Sequence, residues 1–347
     1  MKERYDNLDG LRVLSCIAII AMHIKANANY QIDGWLFQKV VASWVHLVAL
    51  FLMISGFGMF CGYYEKFKNG RVDLNSFYTK RYKKILPFFI TLILIDIVIA
   101  RTLSHLIEGI TEATLVFGLL PNNQPNVIGV CWTLGVIFLF YMLFPFIVFL
   151  CWDKKRAVMA FIGAIVISLF CSIYYFTSMF SVYGFVPRHT FLYCSPWIIG
   201  GGITYLYRNE VKGFVSQHRW LWLAGCVVLD VIWHFVPGEV GGTDIWMLKN
   251  LVLYLPWLMY AISVECSFLS NKVMKYLSGI SLELYLAQMV IFRAIEKANG
   301  LYLFGKGWVS FIFVWIVLLV GLIAFIGMWK KIYGIVCNIL ISRTKAA

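Results

Sequence analysis

Long apolar runs separated by short polar intervals organise this chain. Runs recur at about 11–27, 40–62, 85–104, 127–150, 157–177, 190–207, 219–236, 248–264, 276–294 and 307–328. Each approaches the length an α-helix needs to cross a hydrocarbon layer ~30 Å thick. The alternation of a transmembrane barrel is absent, whereas a helix satisfies its own backbone in lipid. The pattern predicts an all-α polytopic membrane protein with about ten transmembrane helices, the last continuing toward Ile341. A shorter apolar piece, Ala113 to Leu120, ends in the polar segment PNNQPN and reads as interfacial or re-entrant. No polar interval is long enough for a soluble domain. Residues 1–347 are therefore expected to form a single integral-membrane domain with no appended soluble domain.

Charge then fixes the orientation. Leaving Arg12 aside, 21 Lys and Arg residues fall in the intervals on the N-terminal side and 8 on the opposite side. By the positive-inside rule both termini are cytoplasmic. The net charge of +13 thus has a topological origin, and no nucleic-acid partner is expected. With 61% hydrophobic and 14% charged residues and a mean hydropathy of +0.79, the chain lies far from ordinary soluble domains. The basic N-terminus runs into the first helix without a small-residue cleavage site, so an uncleaved first span is expected. Nine cysteines are scattered without C-x-x-C or ligand-like spacing. They read as buried small residues, and no metal site is expected.

Against this apolar background a few polar residues stand out. Arg12 and His23 sit on the first helix with no charged residue among the ten between them, about 16 Å apart along the axis. Neither belongs in lipid without a function or a partner. Arg81, Lys83 and Lys84 cluster at the cytoplasmic mouth of the third helix, ahead of Pro87 and at a depth similar to Arg12. Together they suggest a basic pocket for phosphates. His46 lies in the outer part of the second helix. Asp96, Asp230 with His234 one turn beyond, and Glu283 are further ionisable groups within apolar runs, and Arg188 with His189 precedes the sixth. Trp35, Trp44, Trp132, Trp197, Trp233 and Trp246 fall near outer span ends, as an aromatic belt would.

The arrangement resembles the acyltransferase-3 family of integral-membrane acyltransferases over nearly the whole chain. The first helix matches its D-G-x-R and R-x10-H patterns at Asp9, Gly10, Arg12 and His23. The second matches F-x-x-S-G-F at Phe51, Ser55, Gly56 and Phe57 with one extra residue. The third matches R-x-x-R-x-x-P at Arg81, Lys84 and Pro87. Trp132-Thr133-Leu134, Tyr141 and Pro145 follow a W-[ST]-L-x6-Y-x-x-x-P element, and Gly279, Ser281, Leu282, Tyr285 and Leu286 follow G-x-S-L-x-x-Y-L. Three positions depart from the pattern: Lys84 replaces an arginine, Ile137 stands where many members carry glutamate, and Gln288 where many carry histidine.

The resemblance implies transfer of an acyl group, usually acetyl, from cytoplasmic acyl-CoA to a hydroxyl of an extracytoplasmic polysaccharide or glycolipid. Arg12, Arg81 and Lys84 would hold the phosphates of the acyl-CoA, and His23, aided by Arg12, would carry the chemistry as general base or acyl carrier. His46, Arg188, Trp132, Tyr141, Glu283, Tyr285 and Gln288 are the candidate substrate contacts. The implied location is a bacterial cytoplasmic membrane. Two rival readings stay open: a transporter or flippase for a lipid-linked sugar, and a non-catalytic glycan-binding membrane protein. The oligomeric state is not legible. The topology itself is testable. Alkaline phosphatase, active only outside the cytoplasm, is expected to be active when fused after Asn29 or Gly242 and inactive after Asn69 or Lys155. Reversed activities would invert the orientation, and a mixed pattern would overturn the span count.

Overall fold

The computed structural model describes residues 4–119, 125–175 and 186–346. Lys2, Leu120, the first four residues of PNNQPN and the end of the expected 157–177 run lie outside the described residues. A helix stands at each apolar run: α1 (Asn7–Asn27), α2 (Val48–Lys68), α3 (Leu74–Ala100), α5 (Trp132–Leu150), α6 (Lys154–Tyr175), α7 (Phe191–Leu206), α9 (Arg219–Trp233), α10 (Trp246–Ser263), α13 (Ser281–Lys297) and α14 (Trp308–Ala346). Shorter helices join them: α4 (Leu103–Ala113), α8 (Arg208–Gln217), α11 (Ser267–Ser270) and α12 (Lys272–Gly279). By length and hydropathy, five stretches are sufficient to cross a membrane unaided: Asn7–Asn27, Leu36–Lys68, Gly129–Leu150, Lys154–Ile173 and Trp308–Ile339. A sixth joins them if α12 and α13, bent by 67°, count as one span. The protein is thus an all-α, multi-pass membrane protein. The remaining apolar runs form helices that are shorter or carry more charge; α7 has 16 residues and α9 has 15.

The chain separates into two compact units, Met1–Ser15 with His46–Lys275 and Cys16–Val45 with Tyr276–Ala347. The first is built on the crossing of α2 and α7. A Cβ on Gly56 would overlap the Ile198 carbonyl, and one on Gly201 would overlap the Met53 carbonyl, so each helix presents a glycine to the other's backbone. Small residues permit this approach, which apolar solvent cannot drive by hydrophobicity. Gly202 packs beneath the Phe60 ring. Phe60 in turn stacks on Tyr64 and meets Phe144 of α5 edge-on at 5.6 Å. One strand pair, β1 (Glu239–Val240) with β2 (Thr243–Asp244), turns through Gly241 and Gly242 at φ 56° and 77°. Both values suit glycine in a tight hairpin.

α3 ends earlier than its apolar run suggests. Arg101 adopts a left-handed conformation (φ 53°), and Thr102 caps α4 by accepting from the His105 N–H. His105 Nδ1 lies 2.6 Å from Asp96 Oδ2, which raises the imidazole above its ordinary range. α4 exposes Leu103, Leu106, Ile107 and Ile110 and buries Gly109 and Glu112, the division expected of a helix lying in the membrane interface. α4 at Leu103–Ala113 thus has the character of an interfacial piece, just ahead of the 113–120 stretch expected to be one. Glu112 accepts from the Val127 N–H (3.2 Å), the Ile128 N–H (3.2 Å) and Cys131 Sγ (3.6 Å). Glu108 accepts from the Asn126 N–H at 2.6 Å. Two carboxylates thus hold the segment that leads into Trp132.

In the second unit, α1 from Cys16 onward runs parallel to α13. Cys16 Sγ donates to the Ser281 carbonyl (3.5 Å) near one end. Tyr30 Oη donates to the Leu301 carbonyl (3.0 Å) and the Asn29 N–H to Tyr302 Oη (2.7 Å) near the other. Trp315 Nε1 of α14 donates to the Ile17 carbonyl at 3.1 Å.

Two stability effects follow from these contacts. Gly56→Val places side-chain atoms into the α7 backbone, an overpacking that costs on the order of 1–3 kcal/mol or more. A lower thermal-unfolding midpoint in detergent is expected, and an unchanged midpoint would refute the close approach. Burial raises the Glu112 carboxyl to about 7 from its ordinary 4.5, against the opposing hydrogen bond from Ile128. The folded pKa exceeds the unfolded one, so its stabilising contribution is complete below about pH 4.5 and is lost as pH rises toward 7. Wild type should lose on the order of a few kcal/mol over this range relative to Glu112→Gln. Parallel pH profiles of denaturation for the two proteins would refute the shift.

Candidate active site

At the basic, inner end of the first unit, the start of α1 is pinned by its own sequence. Asn7 Nδ2 donates to the Ala261 carbonyl (3.1 Å) and to the Val264 carbonyl, and its Oδ1 accepts from the Cys266 N–H. The last carbonyls of α10, which have no intrahelical donor, are thereby satisfied by the residue that begins α1. Gly10 packs against the Leu269 backbone. Lys275 lies 2.7 Å from Asp6, and this hydrogen bond holds the Asp6 carboxyl below the usual carboxylate range.

Arg12 emerges from this anchored turn half-buried, with electrostatic neighbours Asp9 and Tyr141. Arg81 of α3 is enclosed by aromatic rings, its guanidinium carbon 4.7 Å from the Tyr63 centroid, 5.1 Å from Tyr141 and 5.3 Å from Phe77. Its Nε is buried without a hydrogen-bond acceptor among the described residues. Tyr141 is therefore the shared neighbour of both guanidinium groups, and among the described residues no carboxylate pairs with either within ion-pair distance. Lys84, one turn beyond Arg81, lies on the exposed flank of α3. Two guanidiniums with spare donors suit an anion that accepts bidentate hydrogen bonds, as phosphate does.

His23 belongs to the second unit. It follows Cys16 by seven residues, as Gln288 follows Ser281, so the parallel register advances both by about 10.5 Å to the same level. The His23 imidazole is half-buried, and among the described residues it has no hydrogen-bond partner; its carbonyl accepts from Asn27 Nδ2 at 2.9 Å. Gln288 Nε2 donates to the Tyr285 carbonyl (2.8 Å), leaving a buried Oε1 without a donor. Tyr285 is buried, while Glu283 sits half-buried in the first turn of α13, where the helix dipole favours a carboxylate. α1 is unbroken from Asn7 to Asn27. Arg12 and His23 are thus eleven residues apart, about 16 Å and three turns, and project from the same side of the helix.

The outer end of the first unit gathers the remaining candidates. Arg188 is bound by Asp244 through Nε (2.6 Å) and a terminal nitrogen (2.5 Å). Tyr193 Oη (2.8 Å) and the Trp246 N–H (2.9 Å) donate to the other oxygen of Asp244. This carboxylate, 2% exposed, was not singled out in the sequence. Its one signal is its place just after the Gly241-Gly242 turn. Arg188, expected to touch the acceptor, has its fork engaged within the protein. His189 stacks on Trp132 at 4.0 Å and 9°, and burial lowers its imidazole to about 4, so it is neutral near pH 7. His46 stacks on Trp246 (4.1 Å) and meets Trp233 edge-on (5.2 Å), and its Nδ1 pairs with Asn250 Nδ2 at 3.2 Å. Trp132, Trp233 and Trp246, expected near outer span ends, pack against His189, His46 and Lys249. Asp96 is engaged by His105, and Asp230 lies near His234.

Residues 5–330 match the family model described as an acyltransferase domain. No curated protein and no solved structure matches the chain. The match extends over almost all the helices described above, from the turn that carries Arg12 to the middle of α14. The chain belongs to the acyltransferase-3 family, as a multi-pass membrane acyltransferase.

Proposed function

We propose that the protein transfers an acyl group, acetyl by preference, from acyl-CoA at its cytoplasmic face to a hydroxyl of an extracytoplasmic polysaccharide or glycolipid. The observation that carries this reading is the pair Arg12 and Arg81, two guanidiniums beside Tyr141 that form no ion pair with a carboxylate among the described residues. An unpaired cation at such depth is costly, and the phosphates of CoA offset that cost while fixing the donor. Lys84, on the exposed flank, adds a point charge at the mouth.

His23 lies about 16 Å farther along the same side of α1, within reach of an extended pantetheine arm. The neutral imidazole takes the proton of the acceptor hydroxyl as that oxygen attacks the thioester carbonyl. The carbon–sulfur bond then breaks, and CoA departs as the thiol. Alternatively the imidazole attacks first and passes the acyl group to the hydroxyl in a second step. Both routes need His23 without a competing partner, and what supports them is that its imidazole has no hydrogen-bond partner among the described residues.

The test is turnover of radiolabelled acetyl-CoA by purified protein in vesicles. Wild type is expected to consume acetyl-CoA, and His23→Ala to fall ~100-fold or more, as loss of a general base predicts. Arg12→Ala and Arg81→Ala are expected to raise the acetyl-CoA KM. Full activity of folded His23→Ala, or no acetyl-CoA turnover by folded wild type, would overturn the reading.

A further inference from the structure

Arg81 forms no ion pair among the described residues, so its guanidinium must be held by other means. On α3 it follows Phe77 by four residues, which puts the two on one face of the helix. Phe77, 1% exposed, lies between two rings of α2 that are also four residues apart: Tyr63 at 5.0 Å and 80°, and Phe67 at 5.3 Å and 83°. This edge-on packing ties the start of α3 to the end of α2 and brings Tyr63 over the guanidinium. Of the three rings around Arg81, Tyr63 is the nearest, at 4.7 Å. Nothing in the pattern along the chain singles it out.

The guanidinium nitrogens fall into two kinds. Nε is buried with no acceptor among the described residues, and rings surround it where an acceptor would otherwise be. A cation over a ring face is attracted by the ring quadrupole, which offsets part of the cost of burying it. The two Nη atoms are not shut in with Nε, and they donate to no described residue. An anion therefore meets Arg81 end-on, at the Nη pair, and not side-on through Nε. A free arginine side chain loses rotamer freedom when it binds; one already clamped between rings loses less. Phe77 is committed to the packing between α2 and α3, and Tyr141 also neighbours Arg12. Tyr63 is half-buried, and its ring contacts are with Phe77 and with cations.

We propose that Tyr63 is a positioning residue of the donor site: its ring clamps the Arg81 guanidinium so that the Nη pair, presented end-on, receives a phosphate of the acyl donor. The proposal rests on the reading of Arg12 and Arg81 as the donor site given above. Tyr63 touches no reacting atom, so its effect falls on donor affinity and not on the chemical step.

The experiment is CoA binding by isothermal titration calorimetry to the full-length protein in nanodiscs, with acetyl-CoA kcat and KM measured on the same preparations. Tyr63→Leu removes the ring face and is expected to weaken CoA binding and raise KM about 3- to 10-fold, the range of a cation–π contact, with kcat unchanged. Tyr63→Phe keeps the face and is expected to stay within about 2-fold of wild type. Arg81→Ala is expected to weaken CoA binding at least as much as Tyr63→Leu. The double variant should bind no more weakly than Arg81→Ala alone, because Tyr63 acts through Arg81. Should Tyr63→Leu not elute as a folded protein, Tyr63→Met takes its place. Unchanged CoA affinity in the folded variant without the ring would overturn the proposal, as would an equal loss in Tyr63→Phe, additive losses in the double variant, or a fall in kcat at constant KM. If Arg81→Ala weakens CoA binding and Tyr63→Leu does not, the clamp falls and the donor site stands. If wild type binds no CoA, or Arg81→Ala binds it as wild type does, the donor site at Arg81 falls and the clamp with it.

Discussion

The close crossing of α2 and α7 is the constraint on which the first unit depends. Lipid supplies no hydrophobic force between helices, so backbone must approach backbone, and Gly56 and Gly201 make that possible. The consequence reaches both ends of the crossing. α2 carries Tyr63, which walls the Arg81 guanidinium, near its inner end, and His46 just ahead of its outer end. α7 begins immediately after Arg188 and His189, the residues that reach Asp244 and Trp132. One packing contact thus sets the spacing of an inner cationic cluster and an outer aromatic one.

The two clusters treat charge in opposite ways. At the outer end Arg188 and Lys249 each have partners: a carboxylate for Arg188, a carbonyl and two indoles for Lys249. At the inner end Arg12 and Arg81 share Tyr141 as a neighbour, and among the described residues neither forms an ion pair, Asp9 lying near Arg12 but beyond that distance. Desolvating a charge is expensive whichever way it is resolved. The reading proposed above assigns the end whose two guanidiniums have no ion pair among the described residues to the phosphates of the donor.

Helix α1 links these chemistries to the sequence most directly. Asn7 closes the end of α10, Gly10 permits contact with Leu269, and the spacing of eleven residues turns Arg12 and His23 to one side. In the second unit, the Cys16–Ser281 contact sets the register that brings Gln288 level with His23. Gln288, a departure from the family pattern, carries there a buried oxygen with no donor among the described residues.

By itself the sequence determined the helical class, the membrane setting and the positions of the helices, and it singled out Arg12, His23 and Arg81 as candidates. These follow from local quantities: run length, hydropathy, charge bias and helical spacing. The tertiary structure decided which candidates have partners. That Arg188 is claimed by Asp244, that Asn250 and Trp233 share one cluster, and that Glu112 secures the approach to Trp132 all depend on residues 15 to 204 positions apart in the chain. The early end of α3 is of the same kind: the apolar run continues past Ala100, but the left-handed Arg101 and the Asp96–His105 bond turn the chain into α4. No periodicity encodes such pairings, because they are fixed by how the helices pack and not by the pattern along any one of them.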